Sequence, residues 1–183
     1  RKECVIFYII IYIFIIQEKM KFKMKVEFSW YFNEDTSNIE PMLSTNFIGN
    51  YNMYVKEKMK YFFIKDFNEN DLEYKGLIVD LLTEYAWEKY ENIKYEIKEY
   101  IEISINEIKE IIFGKKKKFF FNSIESWGAE IKKEGVLIYF VFQDDYFDIM
   151  PINCFYEILV NWRKFLESVP DLNNKVVIEC TGD

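Results

Sequence analysis

Three aspartates in the stretch QDDYFD are the residues of this sequence best suited to chemistry. Asp144, Asp145 and Asp148 lie close together, between an apolar run and Pro151. Two carboxylates held near each other can share a proton as an acid pair, and carboxylate oxygens can also hold a divalent cation. No second carboxylate cluster at a defined spacing accompanies them, so a solvated hairpin turn is the simpler interpretation.

The same stretch also has the composition of a recognition element. Tyr146 and Phe147 offer rigid apolar contact area beside side chains that carry negative charge. Aromatic residues next to acids at an exposed tip are what an acidic protein presents to a basic partner. The stretch therefore predicts a partner-binding surface of five residues: Asp144, Asp145, Tyr146, Phe147 and Asp148. We predict no catalytic residue, no metal site and no cofactor.

The residue types on which many enzymes depend are absent or isolated. There is no histidine, which excludes Ser-His-Asp and Cys-His sites and imidazole metal ligands. The six glycines form neither of the common phosphate-binding loops. Cys154 lies near the start of a predicted helix but lacks a base partner, so we expect a buried, unreactive thiol. The sequence thus favours a protein that is not an enzyme.

Charge and cysteine usage restrict the partners and the compartment. A formal net charge of −7 disfavours nucleic acid, whose phosphates it would repel, and favours a basic protein. The lysines of residues 115–118 precede a buried run, so they are interpreted as solvated gatekeepers rather than as a phosphate or lipid-head site. Three scattered cysteines indicate a reducing compartment, and we therefore predict a cytoplasmic protein.

Residues 4–16, CVIFYIIIYIFII, are an uncharged run near the beginning of the chain. At about 1.5 Å per helical residue the run reaches roughly 20 Å, well short of a membrane core of about 30 Å. Arg1 and Lys2 resemble the start of a secretion signal, but no small residues suitable for cleavage follow the run. We expect residues 1–19 to be upstream or leader sequence, residues 20–183 to be a single domain, and no stable membrane insertion.

Alternating or continuous apolar patterns predict the strands. The clearest alternation begins at Met20 and continues to Phe32, while the run at 136–142 is apolar throughout and should be central. The segment YFDIMP should be the returning arm of a hairpin. The remaining predicted strands are residues 51–55 paired with 59–65, residues 93–103, and an edge strand at 175–179.

Helical spacing and capping residues predict three helices. The first begins at Asn70 or Asp71 and continues to about Tyr90, and the second follows the serine cap in SINE and ends at Gly114. The third covers residues 153–168 with Trp162 as its core anchor. Residues 33–46 are polar, contain a proline and read as a loop. The fold class that follows is α+β, an antiparallel or mixed sheet with helices packed on one face.

The C-terminal stretch DDYFDIMPINCFYEILVNWRKFLES resembles part of the small acidic immunity proteins of bacterial polymorphic toxin and contact-dependent inhibition systems. The resemblance covers residues 123–170 at most, and it carries over no functional residue. It implies a protein that binds a cognate toxin domain, often a nuclease, and blocks its active site or substrate path. We accordingly predict a cytoplasmic, non-enzymatic inhibitor that neutralises a toxin through an acidic surface.

Two other functions remain open at this point. A structural or interaction module, either a subunit or a homodimer, could pair through an apolar sheet edge such as residues 175–179. An enzyme that uses carboxylates would have to rely on the aspartates of QDDYFD.

Overall fold

A computed structural model describes residues 22–49, 51–62, 64, 72–83, 90–122, 126–143 and 145–182. The predicted leader at residues 1–19 lies outside these ranges. In chain order the described elements are β1 (Phe22–Asn33), β2 (Asn38–Phe47), α1 (Tyr51–Lys58), a 3₁₀ turn (Met59–Tyr61), α2 (Leu77–Thr83), α3 (Tyr90–Ile112), β3 (Lys118–Asn122), β4 (Trp127–Lys132), β5 (Gly135–Phe140), β6 (Phe147–Met150), α4 (Ile152–Glu167) and β7 (Lys175–Gly182).

The first sheet has three antiparallel strands in the order β2-β1-β7. Its centre is β1, whose alternation was predicted from the sequence: Phe22, Met24 and Val26 are buried while the lysines between them face outward. The predicted loop at residues 33–46 is wrong, since only residues 34–37 turn and the chain returns as β2. Pro41 is accommodated because β2 is an edge strand, where a missing N–H donor is tolerated.

The second sheet is an antiparallel meander in the order β3-β4-β5-β6. As predicted, the apolar run β5 is an interior strand, and β6 is the returning arm of its hairpin. The predicted edge strand near the C-terminus is also confirmed, because β7 pairs with β1 alone among the described strands. The strands therefore divide into two sheets rather than one.

The predicted strand at 51–55 is wrong, and so is that at 59–65 over its described residues; residues 63 and 65 lie outside them. Residues 51–58 form α1, and the 3₁₀ turn follows it directly. The buried side chains of α1 are Tyr51, Tyr54 and Val55, which have the i, i+3, i+4 spacing of one helical face. A run this short satisfies both helix and strand patterns, so its packing against β6 decides its structure.

The predicted strand at 93–103 is also wrong, because these residues belong to the long helix α3. Ile101, Ile105 and Ile108 are buried at helical spacing, whereas Ile103, which alternation places with Ile101, is exposed. Ser104 is not a helix cap but lies within α3, where its Oγ donates a 2.8 Å hydrogen bond to the carbonyl of Tyr100. The apolar alternation over residues 93–103 is therefore a coincidence within a helix whose apolar residues recur at helical spacing.

The predicted helix from residue 70 or 71 to residue 90 is only partly present. Residues 72–76 are not helical, and α2 begins after Gly76, which has a positive φ of 75°. The predicted cap at Asn70 or Asp71 lies outside the described residues, as do residues 84–89. Glycine suits the turn before α2, since a left-handed backbone is strained for other residues.

The amphipathic helix α4 joins the two sheets. It packs against α3 and against β1, β5 and β7. Trp162, predicted as its core anchor, is 1% exposed and stacks on Phe28 of β1 with ring centroids 5.8 Å apart. The predicted α+β class is thus confirmed, in one compact domain. None of the described helices combines the length and the apolar character needed to cross a membrane.

Replacing Gly114 tests the predicted end of α3. Gly114 has a φ of 74°, and its N–H donates to the carbonyl of Ile111 at 2.9 Å. An added Cβ would meet no atom within 4 Å, so the cost is conformational only. We expect Gly114→Ala to lower the free energy of unfolding by about 1 kcal/mol, measured by urea denaturation. Gly114→Asn should lose less, because asparagine tolerates this backbone region; equal losses would contradict the explanation.

Candidate functional site

The end of the second sheet nearest the β5–β6 turn carries four neighbouring aromatic side chains, the aromatic cluster: Trp127, Phe140, Phe142 and Tyr146. Sheet register places Trp127, the first residue of β4, opposite Phe140, the last residue of β5, and the centroids of their rings are 4.9 Å apart. The ring of Phe140 also lies 5.4 Å from that of Phe142 and 6.4 Å from that of Tyr146. Two strand ends and the turn between β5 and β6 thus bring these rings together.

The rings of the aromatic cluster differ in their exposure. Trp127, Phe140 and Tyr146 are half-buried, whereas Phe142 is 75% exposed. Val141 beside it is also exposed. Large apolar side chains that project from a packed aromatic base have the composition and shape of binding hot spots.

The turn between β5 and β6 is organised by hydrogen bonds around Gln143. Its backbone N–H donates to the carbonyl of Phe140 at 3.2 Å, and its side-chain amide donates to Asp145 Oδ1 at 2.8 Å. Asp145 is exposed at this turn, and Tyr146 belongs to the aromatic cluster. Asp144, the first of the predicted surface residues, lies outside the described residues.

The other two predicted surface residues are not exposed. Phe147 and Asp148 are the first two residues of β6, and both are buried; only 2% of Asp148 is exposed. The prediction of an exposed tip that includes them is therefore wrong, because the strand starts immediately after Tyr146 and carries both side chains into the fold. A role in recognition can involve only the part of the tip before β6.

Asp148 accepts three hydrogen bonds from distant parts of the chain. Its Oδ1 accepts from the Tyr51 hydroxyl at 2.8 Å and from the Lys75 backbone N–H at 3.0 Å. Its Oδ2 accepts from the Leu77 backbone N–H at 2.8 Å. Burial raises the pKa of Asp148, and these hydrogen bonds oppose the rise. The carboxylate therefore ties α1 and the start of α2 to the second sheet.

Tyr51 completes this arrangement along the edge of the sheet. Its hydroxyl oxygen accepts the backbone N–H of Ile149 at 3.0 Å while its proton is donated to Asp148. In the described part of the chain β6 is the last strand of its sheet, so the tyrosine satisfies a donor that the sheet leaves unpaired. Burial, followed by the nearby Asp148 carboxylate, raises the pKa of Tyr51 well above its usual value.

Lys75 connects the buried carboxylate to the aromatic cluster. Its backbone is held by Asp148, and its Nζ lies 5.5 Å from the centroid of the Tyr146 ring. A cation over an aromatic face is attracted by the ring quadrupole, which favours this position of the side chain. Sequence reasoning missed Lys75, since no local pattern distinguishes it from the other lysines.

An open groove of about 440 Å³ lies next to Lys75, between β2 and α2. Tyr74 and Gly76 line one side, and Leu43 and Thr45 line the other. The Tyr74 hydroxyl lies 2.9 Å from Thr45 Oγ1, so these two polar groups already satisfy each other. The groove thus has polar groups in its walls, and two of them are bonded to each other.

The structure also places the residues considered for other chemistry. Cys154 is fully buried, as predicted, and its side chain is hydrogen-bonded to that of Cys180. That hydrogen bond, with burial, raises the pKa of the Cys154 thiol, which disfavours the nucleophilic thiolate. Within the ranges that the structure describes, no three Cys, Asp or Glu side chains gather in a way that could hold a metal ion.

Comparison of the chain with protein-family models, with curated proteins and with solved structures found no match. The function must therefore be argued from the geometry and charge of the site.

The free energy of unfolding at alkaline pH should depend on the buried tyrosines. Burial raises the pKa of Tyr51 and Tyr74, whereas both ionise near pH 10 in the unfolded chain. Above about pH 10 the unfolded chain therefore binds fewer protons than the folded protein, so the free energy of unfolding falls as pH rises. Urea denaturation from pH 9 to 11 should show a shallower fall in Tyr74→Phe. The exposed-site control Tyr61→Phe should retain the wild-type fall, and identical slopes in all three proteins would contradict the assignment.

Proposed function

We propose that this protein is a non-enzymatic binding protein whose aromatic cluster recognises a partner protein, in the manner of an immunity-type inhibitor that neutralises a bacterial toxin domain. The observation that carries the proposal is Phe142, whose ring is 75% exposed although it packs against Phe140. Burying such a ring in a partner's pocket contributes affinity with little loss of side-chain entropy, since phenylalanine has only two side-chain torsions.

The residues that hold the aromatic cluster in place favour binding by a surface that is already ordered in the free protein. Trp127 and Phe140 lie on paired strands, and Tyr146 is covered by Lys75, whose backbone Asp148 holds. A surface that is ordered before binding loses less conformational entropy when the partner arrives. Asp148 thus supports recognition from inside the fold rather than by touching the partner.

Charge supports a basic partner. The chain carries a formal net charge of −7, and Asp145 is exposed beside the aromatic cluster. Long-range attraction of this kind accelerates association, while the dissociation rate depends mainly on the buried apolar anchors. The likeness of the C-terminal stretch to immunity proteins supplies the class of partner, a cognate bacterial toxin domain.

The test measures binding of the purified full chain to that toxin domain. Phe142→Ser should raise the dissociation rate by about tenfold or more, because it removes the exposed anchor. Phe113→Ser is the matched control, since Phe113 is 72% exposed at the end of α3, and it should leave the rate unchanged. The absence of a complex would overturn the immunity assignment, and equal effects of the two variants would overturn the role of the aromatic cluster.

The salt dependence of association tests the acidic part of the tip separately. In the double variant Asp144→Asn, Asp145→Asn we expect slower association and a flatter dependence on ionic strength, with little change in dissociation. Asp148 is left unchanged because its removal would disturb the fold. Stopped-flow traces at two ionic strengths are sufficient, and equal salt slopes would show that these aspartates form only a solvated turn.

A further inference from the structure

In the part of the chain that the structure describes, the edge strand β7 has one side available to another strand. Among the described elements nothing pairs with its outer side, and its pairing with β1 runs without interruption from Phe22 opposite Gly182 to Ser29 opposite Lys175. The strand contains no proline and no bulge, two of the devices that protect an edge, and its charged side chains are Lys175 and Glu179. Val176 and Val177 are 37% and 43% exposed, so apolar surface accompanies the backbone groups that no described strand pairs.

The side chains of β7 follow the alternation of the sheet. Val176 and Ile178 are paired with buried residues of β1 and share the core face, whereas Lys175, Val177 and Glu179 share the solvent face. Lys175 lies at one end of this stretch and Glu179 at the other, two positions from Val177 on either side. The solvent face of the strand is therefore self-complementary in charge about its central valine.

We propose that β7 pairs with β7 of a second copy of this chain, antiparallel, about a two-fold axis at Val177. In a two-fold antiparallel pair each residue at the axis faces its own copy. The axis at Val177 places Lys175 opposite Glu179 of the second copy, twice by symmetry. A two-fold axis at Ile178 would place Glu179 opposite Val177 of the second copy, which pairs no opposite charges. An axis at Glu179 would place the two copies of Glu179 opposite each other, so that like charges would repel.

The paired strands would join the two three-stranded sheets into one of six, in the order β2-β1-β7-β7-β1-β2. Lys175 already lies 2.5 Å from Glu27 of its own chain, and Glu179 lies 3.6 Å from Lys23. The dimer therefore extends existing ion pairs across the interface, with Val177 packed against its copy at the centre. Cross-strand pairs of opposite charge stabilise a sheet, whereas like charges placed opposite each other destabilise it.

This surface lies on the other sheet from the aromatic cluster, so the dimer does not depend on the proposed function. Sedimentation equilibrium of the full chain should give a mass that rises from monomer to dimer with concentration. Lys175→Glu and Glu179→Lys each convert both attractive pairs into repulsive ones, and each should raise the dimer dissociation constant by about tenfold or more. Lys164→Glu makes the same charge change at an exposed position of α4 and should not alter it.

Mixing the two single variants supplies the decisive measurement. In a mixed dimer the chain with glutamate at both positions faces the chain with lysine at both, so opposite charges meet again. The equimolar mixture should therefore dimerise at concentrations where each variant alone is monomeric, which also proves that both variants fold. A wild-type protein that stays monomeric, single variants that dimerise normally, or a mixture that stays monomeric would each overturn the proposal.

Discussion

Asp148→Ala is expected to lower the free energy of unfolding by about 3 to 5 kcal/mol, because it leaves three donors without their acceptor. The donors are the Tyr51 hydroxyl and the backbone N–H groups of Lys75 and Leu77, which come from two distant segments. A domain of this kind has a total stability of about 5 to 15 kcal/mol, so the loss is a large fraction of it. Urea denaturation at neutral pH measures the change directly.

Two further variants separate hydrogen bonding from charge. Asp148→Asn should lose less than the alanine variant, because the amide keeps one acceptor oxygen while its N–H₂ group faces a donor. Asp145→Asn, in the exposed turn three residues earlier, should stay within about 0.5 kcal/mol of the wild type. Similar losses at positions 145 and 148 would contradict the buried role of Asp148.

Trp162→Ala is expected to lower the free energy of unfolding by about 3 to 5 kcal/mol through the cavity it leaves. The indole stacks on Phe28 of the first sheet and on Phe165 of its own helix, with ring centroids 5.8 Å and 6.0 Å apart. Because α4 also packs on the second sheet, the cavity weakens the contact that joins the two sheets. Thermal and urea unfolding followed by far-ultraviolet circular dichroism measure the loss.

Two control variants, one with a smaller aromatic ring at position 162 and one at an exposed position, test the role of Trp162. Trp162→Phe preserves an aromatic ring in the same site and should lose less than the alanine variant. Val169→Ala, just after α4, removes apolar atoms from an exposed side chain and should stay within about 0.5 kcal/mol of the wild type. An alanine variant at position 162 that unfolds like the wild type would show that α4 is not held through this ring.

Long, regular patterns were enough to predict several elements from the sequence alone. The alternation of β1 and the apolar run of β5 specified strands, and the helical spacing around Trp162 specified α4. In β1 and α4 the pattern continues long enough to exclude the other period, whereas the short continuous apolar run of β5 is typical of a strand buried on both faces. The α+β class and the edge position of β7 followed from the same signals.

Short or mixed patterns left the decision to packing. The isoleucines of residues 93–103 satisfy an alternation over a few positions, but α3 buries Ile101, Ile105 and Ile108 on one helical face. In α1 the buried positions number only three, too few to exclude a strand. Contacts of α3 with α4 and of α1 with β6 bury these faces, and that burial selects the helix.

The candidate site shows the same division. The sequence located the turn and its exposed Asp145, but it could not show that Asp148 is buried. That outcome depends on a hydroxyl 97 residues earlier and on N–H groups 73 and 71 residues earlier, which satisfy a carboxylate that solvent would otherwise hydrate. Likewise Trp127 joins the aromatic cluster only through the register of β4 with β5. Local sequence patterns contain no information on such distant partners, so only the tertiary structure decides which side chains of the tip face solvent.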